Sequence, residues 1–237
     1  MSIDNNVKTN NYFEYRNIDT SLYENTKLPL WVKNEITDDK VNILDYGCGF
    51  GQNIGALLGE QYLNVYGIDI EKKAIEFCIN KGYNIKEINL EDLHNPFDIK
   101  FDIVLMFHVL EHVPKDEVIN TLSFIRNNLL SEKGKLLIAV PNAQSNTDCY
   151  WAYEDWTHTT LFTSGSLYYV LRAAGFNSID FLDTDCTLGS TRTKKIIRRF
   201  LLKLYKINKT FWNKITCSAY HNPSPQIFSY EIKCKAY

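Results

Sequence analysis

Residues 41–51 read Val-Asn-Ile-Leu-Asp-Tyr-Gly-Cys-Gly-Phe-Gly, and this stretch decides the fold. Its apolar run ends in an acid and three glycines, which predicts a buried strand that stops abruptly in a turn. Helix-forming residues follow at 52–58. A strand, a glycine turn and a helix N-terminus together present backbone N–H groups and the positive end of a helix dipole to a bound ligand.

The spacing of the glycines indicates which class of ligand to expect. Dinucleotide-binding turns have glycine at the first, third and sixth positions. Here Gly47, Gly49 and Gly51 occupy the first, third and fifth positions, and the sixth is Gln52. Asp45, just before the first glycine, would repel a pyrophosphate but could receive an ammonium group. The stretch therefore favours a cationic ligand over a diphosphate.

The pattern Leu-Asp-Tyr-Gly-Cys-Gly-Phe-Gly resembles the first motif of the class I S-adenosylmethionine-dependent methyltransferases. The resemblance covers roughly residues 41–176 and the final strands. It implies S-adenosylmethionine as the cofactor and S-adenosylhomocysteine as its product. It also implies an α/β fold, a Rossmann-like doubly wound sheet of seven strands in the order 3-2-1-4-5-7-6 with the last strand antiparallel. A sharp strand-to-helix turn without any ligand is the alternative.

Further cofactor contacts are expected after the second and third strands. Asp69 ends a strand about twenty residues beyond the glycine turn, the spacing at which an acid meets ribose hydroxyls. Alternatively, Asp69 only caps the helix that starts near residue 71. The resemblance implies that Asn89 and Leu90 bind adenine, with Asn where Asp is more frequent. The predicted cofactor-binding residues are Asp45, Gly47, Cys48, Gly49, Asn53, Asp69, Ile70, Asn89, Leu90 and Phe107.

Residues 101–113 begin as a fourth buried strand and end in Val-Leu-Glu-His-Val, a sequence that recurs in the resembling family. Ligands in such sheets bind off the carboxyl ends of the strands, so His108, Glu111 and His112 fall where chemistry is expected. A metal pair formed by the two histidines would need further ligands, and the sequence shows no cluster of them. We therefore predict no metal. His112 could instead fix the loop through hydrogen bonds.

The long polar and aromatic loop at 141–163 is typical of a functional segment. In the branch that the chain most resembles, small-molecule methyltransferases of bacterial surface-polysaccharide pathways, Asp-x-x-His followed by Phe-Thr marks the acceptor side. A hydroxyl acceptor must lose its proton, a task suited to histidine. We predict His158 as the first choice of base, then His108 and His112, with Asp155 orienting it. The loop aromatics could stack on a sugar or merely anchor the loop.

The expected function is O-methylation of a small polar acceptor. The acceptor would be a sugar, a nucleotide-linked sugar or a phosphorylated metabolite of bacterial capsule or surface-glycan biosynthesis. The alternatives are N- or carboxyl-methylation of a small metabolite, and a non-catalytic nucleotide-binding or membrane-adapter protein of the same fold. Nucleic acid is not expected as a partner, because the net charge is −2 and base-methylating motifs such as Asn-Pro-Pro-Tyr or Pro-Cys are absent.

Composition predicts a single cytoplasmic domain. The six cysteines are scattered without a C-x-x-C pair, which indicates free thiols in a reducing compartment. No secretion signal starts the chain, and no apolar run reaches the ~18 residues of a membrane span. Within the domain 1–237 we expect an N-terminal cap, a cofactor-binding core, a basic helical insertion and a final strand. Their predicted bounds are 1–40, 41–186, 187–225 and 226–237.

The insertion predicts a basic amphipathic helix. Nine lysines and arginines alternate with apolar residues over 192–214, and no acid lies among them. Such a helix could lie on anionic lipid at the inner face of the membrane, grip a substrate phosphate or form a partner interface. Alternatively, it is a solvated helix that covers the sheet edge with its bases toward the acidic body. The oligomeric state is left open.

Overall fold

The computed structural model describes residues 26–90, 92–219 and 225–237. The strands in chain order are β1 (Ile43–Tyr46), β2 (Val65–Asp69), β3 (Ile85–Glu87), β4 (Phe101–Phe107), β5 (Leu130–Pro141), β6 (Ile179–Leu182) and β7 (Glu231–Ala236). The α-helices are α1 (Leu30–Lys33), α2 (Gln52–Gly59), α3 (Lys72–Asn80), α4 (Val118–Phe124), α5 (Tyr150–Glu154), α6 (Ser164–Ala173) and α7 (Arg192–Ile215). The strands form a seven-stranded sheet in the order β3-β2-β1-β4-β5-β7-β6, which confirms the predicted fold class.

The chain divides into two compact units. The first runs to Met106 and includes Phe124–Leu136, and the second consists of Phe107–Ser123 and Leu137–Tyr237. The predicted single domain and its internal bounds stay a prediction. Most aromatics of the predicted N-terminal cap, Tyr12, Phe13, Tyr15 and Tyr23, lie outside the described residues. Trp31 lies in α1 and is buried.

In the first unit, β1 pairs in parallel with β2 on one side and β4 on the other. Ile43 is in register with Val65 of β2 and with Ile103 of β4. All four residues of β1 are buried, including an aspartate. A parallel strand covered on both faces needs a continuous apolar run instead of alternation, which is why 43–46 reads as it does. Asp45 therefore lies near the carboxyl end of a buried strand, just before the glycine turn.

Two helices carry the first unit's chain away from β1 and β2. The helix α2 begins at Gln52, directly after the glycine turn, and buries Ile54 and Leu57. The helix α3 buries Ala74, Ile75 and Cys78 at helical spacing. Both helices therefore start at the carboxyl ends of strands, where this fold class binds ligands.

In the second unit, β6 and β7 pair antiparallel, with Ile179 opposite Ala236, as predicted for the last strand. The helix α6 begins at Ser164 because Thr163 caps it. The Thr163 side chain accepts the Ser166 N–H, and the Ser166 hydroxyl oxygen accepts the Thr163 N–H. The polar pair Thr163-Ser164 predicts a helix N-cap, and the apolar spacing predicts a helix from 167. The cap is confirmed at Thr163, and the helix starts earlier than the apolar spacing predicts.

Three local elements differ from the expectations. The apolar spacing over 115–130 predicts one amphipathic helix. The structure splits it into α4 and a π-helical turn, Ile125–Leu129, because apolar spacing does not distinguish i+4 from i+5 hydrogen bonding. The apolar run at 135–140 predicts a fifth strand, and β5 is longer than this run. The loop at 141–163 contains the short helix α5, whose five residues are too few for a periodic signal. None of the described helices combines the length and apolar character that crossing a bilayer requires.

Candidate active site

The glycine turn after β1 adopts a backbone that only glycine takes easily. Gly47, Gly49 and Gly51 have φ values of 74°, 49° and 75°. A Cβ atom added to Gly51 would lie 2.8 Å from the ring of Tyr83. The Gly47 N–H bonds the carbonyl of Ile68 at 2.8 Å, which fixes the turn against β2. The sequence therefore encodes a tight turn at which the backbone can approach a ligand closely.

Asp45 is a buried carboxylate, and only one of its two oxygens has a hydrogen-bond partner within the described ranges. It is 1% exposed, and its Oδ1 accepts a hydrogen bond from Asn53 Nδ2 at 3.1 Å. Its Oδ2 has no hydrogen-bond partner within the described ranges. Burial raises the pKa of Asp45 to about 7, although the Asn53 hydrogen bond opposes the shift. An incoming ammonium group would satisfy this oxygen, so Asp45 fits the cationic end of S-adenosylmethionine.

Asp69 holds the backbone on both sides of the expected ribose position. Its Oδ2 accepts the Gly49 N–H at 2.7 Å, and its Oδ1 accepts the Glu71 N–H at 2.9 Å. Burial raises its pKa against these two hydrogen bonds. Glu71, and not Asp69, is the N-cap residue of α3, so the alternative that Asp69 only caps this helix is wrong. The Asp69 carboxylate instead closes a turn just before the helix. Each carboxylate oxygen keeps a second lone pair for a ribose hydroxyl, so the ribose role stays a prediction beside it.

The other predicted cofactor residues lie where a ligand could reach them or support the turn. Ile70, Asn89 and Leu90 are exposed after β2 and β3, and Cys48 is buried in the turn itself. Phe107 ends β4 and belongs to the second unit. The residues present fit S-adenosylmethionine. Asp45 would hold its ammonium group, Asp69 its ribose, and Asn89 with Leu90 its adenine.

His108 is held between two carboxylates in the second unit. Its Nε2 lies 3.1 Å from Glu231 Oε2 and its Nδ1 lies 3.4 Å from Glu111 Oε1, while its side chain stays 47% exposed. Burial by itself would lower the pKa of His108, but the two carboxylates outweigh it and raise the pKa to about 9. His108 also has a φ of 54°, an uncommon value for a residue with a side chain. It is therefore protonated at neutral pH.

Glu111 is fully buried, and neither of its side-chain oxygens has a hydrogen-bond partner among the described residues. Its Oε1 lies 4.0 Å from Nε2 of His158. One ligand atom from each of Glu111, His112 and His158 lies within 4.8 Å of the other two, and we call these three residues the Glu111 cluster. Two histidines and a carboxylate could hold a divalent metal. The predicted absence of a metal stays a prediction.

His158 and His112 fix the loop rather than face solvent. His158 Nδ1 bonds the Trp151 carbonyl at 2.6 Å, so this nitrogen carries the proton, and the side chain is only 7% exposed. The Thr157 hydroxyl donates to Asp155 at 2.6 Å and accepts from His112 Nδ1 at 2.8 Å. Burial lowers the pKa of His112. The expected orienting acid, Asp155, therefore acts on Thr157, and its Oδ2 lies 3.9 Å from His158 Nε2.

The aromatic loop is tied to the turn that follows His108. The Thr159 N–H bonds the Glu111 carbonyl at 2.8 Å, and its hydroxyl bonds the Val113 carbonyl at 2.6 Å. Tyr153 is 73% exposed and Trp156 is 88% exposed. These two aromatics do not anchor the loop in a core, whereas the polar contacts at its base do.

Sequence reasoning missed two residues of this site, Glu231 and Thr157. Glu231 meets His108 from β7, 123 positions along the chain, and spacing gives no signal for such a contact. Thr157 lies inside the Asp-x-x-His run, and only the hydrogen bonds show that it links Asp155 to His112. Both residues set the charge or the orientation of a histidine.

The comparisons with known proteins give the family. Residues 13–180 match the sequence model of a family described as a methyltransferase domain. The chain belongs to this methyltransferase family. The match covers most of the chain and includes the glycine turn, Asp69, His108 and the Glu111 cluster. It confirms the predicted enzyme class, a methyltransferase.

Solved structures confirm the fold of the methyltransferase. A S-adenosylmethionine-dependent methyltransferase from Archaeoglobus fulgidus is 20% identical with a TM-score of 0.61, covering 94% of this chain and 96% of that one. Another from Mesorhizobium loti is 14% identical with a TM-score of 0.55, covering 86% and 94%. A structure described as a DhpI complex with S-adenosylhomocysteine is 13% identical with a TM-score of 0.55, covering 96% and 91%.

A curated relative of the methyltransferase is an uncharacterized protein of Methanocaldococcus jannaschii. The two are 36% identical over 106 residues, which is 44% of this chain and 42% of the relative. The match therefore spans less than half of either protein.

Proposed function

We propose that this methyltransferase transfers the methyl group of S-adenosylmethionine to a hydroxyl group of a small polar acceptor. The acceptor class we propose is a sugar, a nucleotide-linked sugar or a phosphorylated metabolite of bacterial capsule or surface-glycan biosynthesis. One observation carries the proposal: hydrogen bonds hold the exposed aromatic loop to the turn after His108. His108 is a half-exposed histidine that lies between two carboxylates.

The loop supports an acceptor with apolar faces and a polar rim. Tyr153 and Trp156 expose most of their ring surface, which is unfavourable unless a ligand covers it. Sugar rings and nucleobases offer flat faces that stack on such rings. The hydrogen bonds from Thr159 hold the base of the loop, so little ordering of the backbone there is needed when the acceptor binds.

Proton removal is the chemistry that the protein must supply for a hydroxyl acceptor. When bound, the cofactor supplies a methyl carbon that its positive sulfur already activates. We assign the base to His108, because its side chain is half-exposed whereas that of His158 is nearly buried. Neutral His108 would take the hydroxyl proton at the ring nitrogen that carries no hydrogen, in exchange for that nitrogen's contact with a carboxylate. Glu111 and Glu231 stabilise the resulting imidazolium.

Protonated His108 also favours a second candidate. At neutral pH its positive charge could bind a carboxylate or phosphate on the acceptor, which is compatible with carboxyl-methylation. A carboxylate acceptor needs no strong base. The two candidates therefore differ in how the rate depends on pH.

The test is turnover on a panel of nucleotide sugars, sugar phosphates and carboxylic acids, read as S-adenosylhomocysteine formed. For a hydroxyl acceptor we expect kcat/KM to rise about tenfold per pH unit from pH 6 to 8 and to level off above pH 9, because the neutral fraction of His108 changes in that way. We expect His108→Gln to lower kcat by roughly 10²- to 10⁴-fold with affinity for S-adenosylhomocysteine intact. His94→Gln, an exposed histidine of the first unit, is the matched control.

Unchanged turnover of His108→Gln would end the assignment of His108. If His158→Ala alone loses turnover while its Tm and cofactor affinity stay normal, the base is His158. A pH-independent rate on a carboxylic acid would support the second candidate. Failure of every acceptor with intact cofactor binding would favour a non-catalytic nucleotide-binding protein.

A further inference from the structure

The helix α7 carries its apolar side chains on its outer surface. None of its 24 residues is buried. Nine large apolar side chains are each 47–61% exposed: Ile196, Ile197, Phe200, Leu201, Leu204, Ile207, Phe211, Trp212 and Ile215. At ~100° per residue, these side chains fall within roughly 160° of the helix circumference. We call this sector the apolar stripe.

The opposite side of α7 holds the helix onto the second unit. Arg199 Nε lies 2.8 Å from Asp185 Oδ2. The Tyr205 hydroxyl donates to Asn146 at 2.9 Å, and its ring packs edge-on against Phe228. A surface helix ordinarily turns its apolar face toward the core. Here Arg199 and Tyr205 make these intramolecular contacts. Most of the apolar stripe faces away from them, and its members Ile197 and Leu201 line a cleft with Phe228.

The charge of α7 identifies the kind of partner that would cover the stripe. The helix has nine lysines and arginines and no acid, a charge of +9. The rest of the sequence has 17 basic and 28 acidic side chains, a charge of −11. Lys203 and Lys214 border the stripe on one side, and Lys194 borders it on the other. A cation-flanked apolar stripe matches the boundary between anionic headgroups and acyl chains.

A cleft beside the stripe fits the same partner. It has a volume of about 640 Å³, and Lys194, Arg198, Ile197, Leu201 and Phe228 are among the residues that line it. The two cations could bind the phosphate of a lipid headgroup, and the aliphatic and aromatic side chains beside them could contact the first carbons of its acyl chain. An acidic protein surface would satisfy the cations but would leave the aliphatic stripe in water.

We propose that α7 docks this protein onto an anionic phospholipid membrane, with the apolar stripe in the headgroup layer. The helix lies parallel to the surface and does not cross it. The proposal is independent of the acceptor and of methyl transfer, because it rests on the exposure and charge of α7 alone. It would place the second unit against the membrane surface.

The experiment is sedimentation of the full chain with vesicles of phosphatidylcholine alone or with 30% phosphatidylglycerol, a composition of roughly physiological anionic content. We expect binding only to the anionic vesicles at low salt. We expect Phe200→Glu with Phe211→Glu to weaken binding at least tenfold. Because both side chains are exposed, the double variant should keep its Tm and its affinity for S-adenosylhomocysteine. Leu63→Glu, 76% exposed in the first unit, is the matched control and should bind normally.

The charge contribution is tested separately. We expect Lys203→Glu to weaken binding about fivefold or more, and raised salt to weaken it further. Lys115→Glu, an exposed control outside α7, should leave binding unchanged. Absence of wild-type binding to anionic vesicles, or binding that the double variant leaves intact, would overturn the proposal. A wild-type dimer that becomes monomeric in the double variant, without vesicle binding, would assign the stripe to a second copy.

Discussion

Replacing Asp45 with asparagine should stabilise the free protein and weaken its hold on the cofactor. Asp45 is almost fully buried, and burial raises its pKa from 3.8 to about 7. The folded state therefore binds a proton that the unfolded chain releases near pH 4. The stability conferred by this proton is complete below pH 4 and is lost as the pH rises to 7.

The size of the effect follows from the two pKa values. At 1.36 kcal/mol per unit, the ionised carboxylate lowers the free energy of unfolding by about 4 kcal/mol at pH 8 and by about 1.6 kcal/mol at pH 5. Asp45→Asn removes this pH dependence, and its amide oxygen can keep the hydrogen bond from Asn53. Its stability relative to the wild type should therefore rise by about 3 kcal/mol from pH 5 to pH 8. For a chain of this length, that corresponds to a Tm difference of roughly 6–12 °C.

Cofactor binding should change in the opposite direction. Loss of the carboxylate should weaken the binding of S-adenosylhomocysteine by about 1–3 kcal/mol at pH 8, which is roughly 5- to 150-fold in affinity. Wild-type affinity should fall up to tenfold per unit below pH 7, because the carboxylate must be ionised to pair with the ammonium group. The affinity of Asp45→Asn should stay constant between pH 5 and pH 8.

The assays are thermal unfolding and calorimetric titration of both proteins at pH 5 and pH 8. Asp116→Asn, an exposed acid before α4, is the control and should change neither quantity. The reasoning is wrong if Asp45→Asn gains no relative stability at pH 8. Equal affinity of the two proteins for S-adenosylhomocysteine at pH 8 would refute the ammonium assignment by itself.

Three further outcomes are expected. Asp69→Ala should lower both Tm and affinity for S-adenosylhomocysteine, by about 1–3 kcal/mol each, because the Gly49 N–H loses a charged acceptor; unfolding and titration measure the two effects. Thr163→Ala should lower the free energy of unfolding by about 1 kcal/mol through loss of the α6 cap, measured in urea, and Ser166→Ala should cost less. Turnover should survive EDTA and elemental analysis should find no bound metal, because protonated His108 already lies beside the carboxylate of the Glu111 cluster; loss of turnover restored by a divalent ion would contradict this.

The sequence predicted the parts of the molecule that depend on local chemistry. The glycine turn follows from three residues that must adopt positive φ, and the helix cap at Thr163 follows from a short side-chain motif. The strand order followed from the family resemblance. The bounds of α7 were predicted within a residue, because charge and apolar periodicity begin and end together there.

The parts that the sequence did not predict depend on distant contacts. His158 ranked first as a base because it lies in the loop, but the Trp151 carbonyl and its burial hold it in place. The carboxylates of Glu111 and Glu231 together raise the pKa of His108, and Glu231 arrives on the last strand. The helix α7 was expected to be amphipathic, but periodicity does not show which face turns outward. Tertiary neighbours decide all three points.

The positive φ of His108 lowers the stability of the fold at a residue that we propose for catalysis. A histidine held at φ 54° costs about 1 kcal/mol relative to glycine, which adopts this backbone freely. Glycine at residue 108 would remove this cost but would leave the carboxylates of Glu111 and Glu231 without their cation. A library selected only for heat resistance should therefore reach glycine here only together with changes at those two residues. A library selected for turnover should retain the histidine and accept the lower melting temperature.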